Sequence, residues 1–183
     1  MTYLNTAAEG IPPLEVRAAL DRYFPFGTME IANLKQHPGF IPTLAAWHHA
    51  QWGELNPQKT LGARIGCLER HLGESPLPVT FVAVAEGMPI GSASLVERDL
   101  PTHPQLSPWL ASVYVAAEHR RRGVGGQLVR RVMEEARRLE VETLYLFTLD
   151  QEKFYTELGW SLLERGEYQG FAIAVMSCKP GDS

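Results

Sequence analysis

The run Arg120-Arg121-Arg122-Gly123-Val124-Gly125-Gly126 stands between a strand-like Ser112 to Ala116 and a helix-like Gln127 to Glu140. A strand that enters a glycine-rich turn and then a helix aims several unpaired backbone N–H groups, and the positive end of the helix dipole, at one spot. Phosphate oxygens suit such a nest, and glycine at 123, 125 and 126 lets a ligand approach the backbone itself. The three arginines add long-range attraction, so the run reads as a cradle for an anionic diphosphate. The same residues also suit a plain helix start with a solvated basic cluster, and context has to decide. The P-loop order G-x-x-x-x-G-K-[ST] is absent, as is the G-x-G-x-x-G order of a dinucleotide fold.

The order here is R-x-x-G-x-G, preceded by Val113-Tyr114-Val115 and followed by an amphipathic helix. That arrangement resembles the acetyl-coenzyme A signature of the GNAT superfamily of N-acetyltransferases. Downstream, Phe154-Tyr155-Thr156-Glu157-Leu158-Gly159-Trp160 resembles the family's F-Y-x-x-x-G-[FWY] segment at about the expected distance. The resemblance extends from about Met29 to the C-terminus. It implies acetyl-coenzyme A as cosubstrate and direct transfer of acetyl to a primary amine of a small molecule or peptide in a ternary complex. It places the pyrophosphate on the N–H groups of Arg121, Arg122, Gly123, Val124, Gly125 and Gly126, with Arg120 at the first position of the motif. The pantetheine arm would lie between two splayed strands, bonded to backbone around Val113, Tyr114 and Val115. Tyr155 would be the general acid that protonates the leaving thiolate; its local sequence alone favours a ring packed under the sheet, and the spacing shared with the cradle reverses that preference.

The general base is less determined. Glu97 is the first choice, at the end of a strand expected to border the site, with Asp99, His48, His49 and His103 as further candidates. The histone-acetylating members of the superfamily carry a basic glutamate near the start of the cradle strand, and Trp109 to Ser112 holds no acidic counterpart. Asp150 stands where the family often has an asparagine that bonds the cofactor, and it also suits the cap of the short helix that follows.

These residues need a frame. The chain has 183 residues, 45% hydrophobic and 21% charged, enough for one domain with a full core. With 17 Lys+Arg against 21 Asp+Glu it is mildly acidic, which argues against a nucleic-acid partner. Two distant cysteines, Cys67 and Cys178, suggest neither a disulfide scaffold nor a metal site, and a reduced cytoplasm is the expected compartment. No apolar run is long enough to span a bilayer.

Along the chain, residues 1–28 form an extension of undefined role with a helix over Pro13 to Phe24. Met29 to Leu34 is a strand, and Ile41 to Leu55 and Leu61 to Leu72 are helices carrying Trp47, His48 and Trp52 at helical spacing. Thr80 to Ala85 and Ile90 to Glu97 form a hairpin around Glu86-Gly87-Met88-Pro89, and Asp99 to Pro108 is loop. Leu110 to Val115 is the strand entering the cradle. The helix after it bears the stripe Val124, Leu128, Val132, Ala136 and Leu139, with Glu134 and Arg138 as an i,i+4 pair. Thr143 to Leu149 is a parallel strand, Asp150 to Leu158 a short helix, and Trp160 to Glu164 with Phe171 to Ser177 an antiparallel pair around the loop Arg165 to Gly170.

The expected architecture is a single-domain α/β fold: a mixed, largely antiparallel sheet, helices on both faces, and, by the resemblance, a central splayed parallel pair. As an exposed edge, Phe171 to Ser177 admits pairing into a homodimer. The acceptor should meet Trp47, Trp52, the loop Gly53 to Lys59 and the loop around Tyr168. Polyamine-like, aminoglycoside-like, amino-acid and peptide N-terminal amines all remain open, as does a longer acyl donor. The main rival is a non-catalytic coenzyme A-binding module; a second is a domain whose basic turn holds no ligand.

Overall fold

A computed structural model describes residues 29–182; the expected helix Pro13 to Phe24 lies outside them. Seven strands and four helices follow in order: β1 (Glu30–Asn33), α1 (Ile41–Trp52), α2 (Leu61–Arg70), β2 (Val79–Ala85), β3 (Met88–Val96), β4 (Trp109–Val115), α3 (Val124–Arg138), β5 (Leu144–Thr148), α4 (Glu152–Glu157), β6 (Ser161–Tyr168) and β7 (Phe171–Cys178). One sheet holds them in the order β1-β2-β3-β4-β5-β7-β6. Every neighbouring pair is antiparallel except β4 and β5.

Both hairpins turn more tightly than the sequence predicts. Glu86 and Gly87 have φ of 51° and 75°, and Gln169 and Gly170 have 53° and 80°. Two successive residues at positive φ make a two-residue turn whose twist matches that of the strands. β6 therefore runs on through Arg165 and Glu167, which the sequence places in a loop. The expected edge is also different: β7 pairs on both sides, with β5 and β6, so the open edges are β1 and β6. β6 is exposed along almost its whole length, which removes the in-out alternation that identifies a strand.

α3 buries the predicted stripe of Val124, Leu128, Val132 and Ala136 against the sheet. Its charged pairing differs, however. Arg138 meets Glu135 at 2.6 Å, and Arg131 meets the same carboxylate at 3.1 Å, while Glu134 stays exposed. Arg138 and Arg131 together hold the Glu135 carboxyl below its ordinary pKa. Arg131 also lies 4.0 Å from the centroid of the Phe81 ring, tying the helix to β2.

The opposite face has another character. Under α1 and α2, His48 Nε2 meets Ser92 Oγ at 2.9 Å. His71 Nδ1 meets Thr80 Oγ1 at 2.7 Å, and Thr80 meets Ser94 Oγ at 2.8 Å. Desolvation pushes the pKa of His48 down to about 3 and that of His71 to about 4, with nearby arginines acting in the same direction. Hence both imidazoles are neutral in the fold at neutral pH, and His48, one of the candidate bases, is a buried residue of α1 bonded to β3.

Two outcomes follow from these contacts. A Cβ at Gly91 would lie 2.7 Å from the Tyr114 carbonyl oxygen and 3.1 Å from Leu128 Cδ1, where β3, β4 and α3 converge. Gly91→Ala should cost about 1–3 kcal/mol in urea unfolding through overpacking. Because the unfolded histidines titrate at 6.5 and the folded ones far lower, stability should fall as pH drops below 6.5 toward 4. The slope should reach about 1.4 kcal/mol per pH unit for each histidine, and His71→Gln should flatten it.

Candidate active site

The opening in the sheet begins with one extra residue in β4. Ser92 pairs with Tyr114 and Ser94 with Ala111, so two residues, Ser112 and Val113, face one on β3. Ser112 takes φ of 54°, the left-handed conformation that such a bulge uses. The bulge places Leu110, Val113 and Val115 on the same α3-facing core although their spacing is three and then two. It also turns β4 away from β5. The two strands share a single register pair, Trp109 with Tyr145, and part beyond it. Ser112 carries no sequence signal for this role; a serine inside an apolar strand looks like ordinary alternation.

A cleft fills the gap. Leu110, Ala111, Ser112, Val113, Phe147 and Leu149 form its strand walls, and Tyr155 closes it on the α4 side. Trp52, Leu55, Asn56, Lys59, Arg64 and Asp99 line it on the side of α1 and α2. The cleft therefore reaches through the sheet from the α1 and α2 side to Tyr155, with different chemistry at its two ends.

Tyr155 sits on α4 with its ring edge-on to Phe154 and Trp160. Its phenol has no hydrogen-bond partner among the described residues. Burial first, and the charge of Asp150 second, push its pKa above the ordinary phenol range, which keeps the proton on the oxygen. Position Gln151, not Asp150, is the N-cap of α4, and the Gln151 N–H donates to Thr148 Oγ1 at 3.1 Å. Asp150 instead borders a recess on the acceptor side with Gln51, Trp52, Glu54, Leu55, Leu149 and Phe171.

The two acidic candidates separate. Glu97 lies in a groove with Pro76, Leu77, Pro108, Leu139 and Val141, at the C-terminal end of α3 and the far end of β4 from the glycine turn. The cleft does not include it. Two residues on, the chain has crossed the end of β4, and half-buried Asp99 lines the cleft. Desolvation pushes the Asp99 carboxyl up to about 6, against the opposing pull of Lys59. The path of an irregular loop has no periodicity, so the sequence could not rank the two. His103 is engaged by Glu164 and Thr102, and His49 is exposed.

The glycine turn lies beyond the C-terminal end of β4. Gly123 is the N-cap of α3 with φ of 78°, and Arg121 has φ of 60°. The first helical bond at this end runs from Gln127 N–H to Gly123 oxygen at 3.1 Å, so the N–H groups of Val124, Gly125 and Gly126 have no carbonyl within the helix. Arg121 and Arg122 are exposed. Arg120 has a structural duty: its Nε donates to the Val115 carbonyl at 3.1 Å, and its guanidinium lies 6.0 Å from the Tyr114 ring centroid. The side chain of Tyr114 stacks on Trp47 at 5.1 Å and meets Trp52 edge-on, building an aromatic wall between α1 and β4.

The sequence profile of the acetyltransferase (GNAT) family matches residues 41–160. The chain belongs to that family. Its fold is shared with the YncA protein of Salmonella typhimurium, whose structure was determined with its cofactor acetyl-CoA: TM-score 0.65, 16% identity, 84% of this chain and 95% of that one. An aminoglycoside 6'-N-acetyltransferase complexed with coenzyme A superposes with TM-score 0.64 at 15% identity, over 82% of this chain and 97% of that one. The ribosomal-protein-alanine N-acetyltransferase of Brucella melitensis matches with TM-score 0.61 at 22% identity, covering 83% and 99%. Among the described residues no helix is long and apolar enough to cross a membrane, and no group of His, Cys, Asp and Glu could hold a metal ion.

The electrostatics of this GNAT cleft can be read directly. The Asp99 carboxyl should titrate near pH 6 by carbon-13 NMR, and Lys59→Met should move its midpoint further up, since Lys59 favours the carboxylate.

Proposed function

We propose that the protein moves the acetyl group of acetyl-CoA onto an amine in a ternary complex. The observation that carries this reading is the cleft through the sheet, with the Tyr155 phenol on the α4 side and the Asp99 carboxyl on the other. The residues present fit acetyl-CoA: the start of α3 leaves three N–H groups without helical partners, exposed arginines stand beside it, and β4 has an unpaired edge leading from that turn to the cleft. The YncA and aminoglycoside enzyme complexes support the same occupant.

When bound, acetyl-CoA supplies an activated acyl group as a thioester. The backbone of Arg121 through Gly126 holds the pyrophosphate, with Arg121 and Arg122 adding charge, while Arg120 keeps the turn against β4. Backbone groups from Val113 to Val115 hold the pantetheine arm. Asp99 takes a proton from the arriving ammonium; its raised pKa brings it closer to that of an amine than an ordinary carboxylate would be. The amine nitrogen then bonds to the acetyl carbon, and the carbon–sulfur bond breaks. Tyr155 gives its proton to the departing thiolate and recovers one from the surplus on the new amide nitrogen. The proton on Asp99 leaves to solvent.

Purified protein titrated with acetyl-CoA should show a dose-dependent rise in unfolding midpoint, lost in Gly125→Trp. Thiol release with amine acceptors should drop about a hundredfold to ten-thousandfold in Tyr155→Phe. In the native protein kcat/KM should rise with pH through about 6, and Asp99→Asn should be slow without that rise. A midpoint shift without thiol release, indifferent to Tyr155→Phe, would identify a coenzyme A-binding module instead.

A further inference from the structure

Among the described residues no ion pair joins the charges that line the acceptor side of the cleft, although Lys59 pulls on Asp99 through space. Arg64 spends one Nη2 hydrogen bond on the Trp52 carbonyl at 3.1 Å, which ties the start of α2 to the end of α1. Its Nε is buried with no hydrogen-bond partner. Burial pushes the Arg64 pKa down, against a smaller opposing pull from Cys67. Lys59 lines the same cleft, and neither cation makes an ion pair among the described residues. An arginine N–H closed off without an acceptor is costly, and folded proteins complete nearly all such groups with a protein partner, a water, an ion or a ligand.

Among the described residues Asp99 is the only carboxylate lining this cleft. The carboxylates of Glu54 and Asp150 line the adjoining recess instead, which shares Trp52, Leu55 and Leu149 with the cleft. One site thus holds, among the described residues, two cations on the α2 side outside any ion pair and a single carboxylate, with apolar walls from Leu55, Leu110, Phe147 and Leu149. A polycationic amine meets repulsion from Lys59 and Arg64 here. An amine that also carries a carboxylate meets a partner for each charge.

Resting on the acetyl-transfer reading above, we infer that the acceptor is an amino acid with an apolar side chain, its carboxylate held by Arg64 and Lys59 and its ammonium directed to Asp99. Planar, forked Arg64 suits a carboxylate in two-point contact, and Lys59 adds a mobile point charge from the loop before α2. The adjoining Glu54 and Asp150 repel the carboxylate from the recess and so favour one orientation. Transfer then yields an N-acetyl amino acid and free coenzyme A thiol: the carbon–nitrogen bond replaces the carbon–sulfur bond, the thiolate takes the Tyr155 proton, and one net proton leaves the ammonium for solvent.

The test is thiol release at saturating acetyl-CoA with L-phenylalanine or L-leucine, each beside its carboxamide and its decarboxylated amine, and with spermidine. The free acid should exceed its carboxamide and amine in kcat/KM by roughly tenfold to a hundredfold, expressed mainly in KM. Arg64→Met should erase that preference, and Arg64→Lys should restore part of it. The acetyl-CoA-dependent rise in unfolding midpoint, measured on the same variants, shows that they fold and keep the donor site. Carboxamide, decarboxylated amine or spermidine turned over as well as the free acid would overturn the carboxylate site while leaving amine acetylation standing. Donor binding with no thiol release from any of these acceptors would overturn both.

Discussion

A sheet satisfies its backbone only while its strands stay paired, and this one gives up that pairing at its centre. The single extra residue at Ser112 and Val113 bends β4 out of its ladder with β5 after one register pair. Exposed edges are normally confined to the rim of a sheet, because unpaired N–H and C=O groups buried inside cost about 1–3 kcal/mol each. An interior gap therefore persists only where the rest of the fold prevents it from closing. Here α3 packs on the β2–β3–β4 half and supports the Val113 and Val115 side of the bulge, while β7 and β6 brace β5 from the other side. The Arg120 bond to the Val115 carbonyl fixes the diverging end of β4.

Because the gap penetrates the sheet, groups from opposite faces meet in it without crowding each other. Tyr155 belongs to the core on the α3 and α4 face, whereas Asp99, Lys59 and Arg64 come from segments on the α1 and α2 face. Burial acts on all of them but with opposite consequences. It retains the proton on the phenol, raises the carboxyl pKa and lowers that of the Arg64 guanidinium. A desolvated phenol, a desolvated carboxyl and a desolvated guanidinium in one cleft each disfavour their charged forms.

Much of this frame is legible in the chain. The glycine turn, the stripe along α3 and the Phe154 to Trp160 segment each carry a local pattern: the turn starts α3 beyond the end of β4, the stripe packs in the core, and Tyr155 lines the cleft. Three features are not legible, for physical reasons. Which of Glu97 and Asp99 enters the cleft depends on the path of an aperiodic loop. The interior position of β7 depends on a strand order in which β6, later placed at the edge, comes first in sequence. Arg64 reads as one more exposed-face residue of a helix, and only the carbonyl of Trp52, twelve positions away, turns it inward.

Three separate apolar clusters hold the described residues together: one under α3, one under α1 and α2, and one between the loop at Leu55 and the β5–β7 half. Between α1–α2 and the sheet, directional bonds from His48 and His71 supplement a smaller apolar set. Such a division has a consequence for tolerance to change. With one core under α3 and another under α1 and α2, on opposite sides of a shared sheet, a substitution that loosens the packing of one leaves the contacts of the other in place.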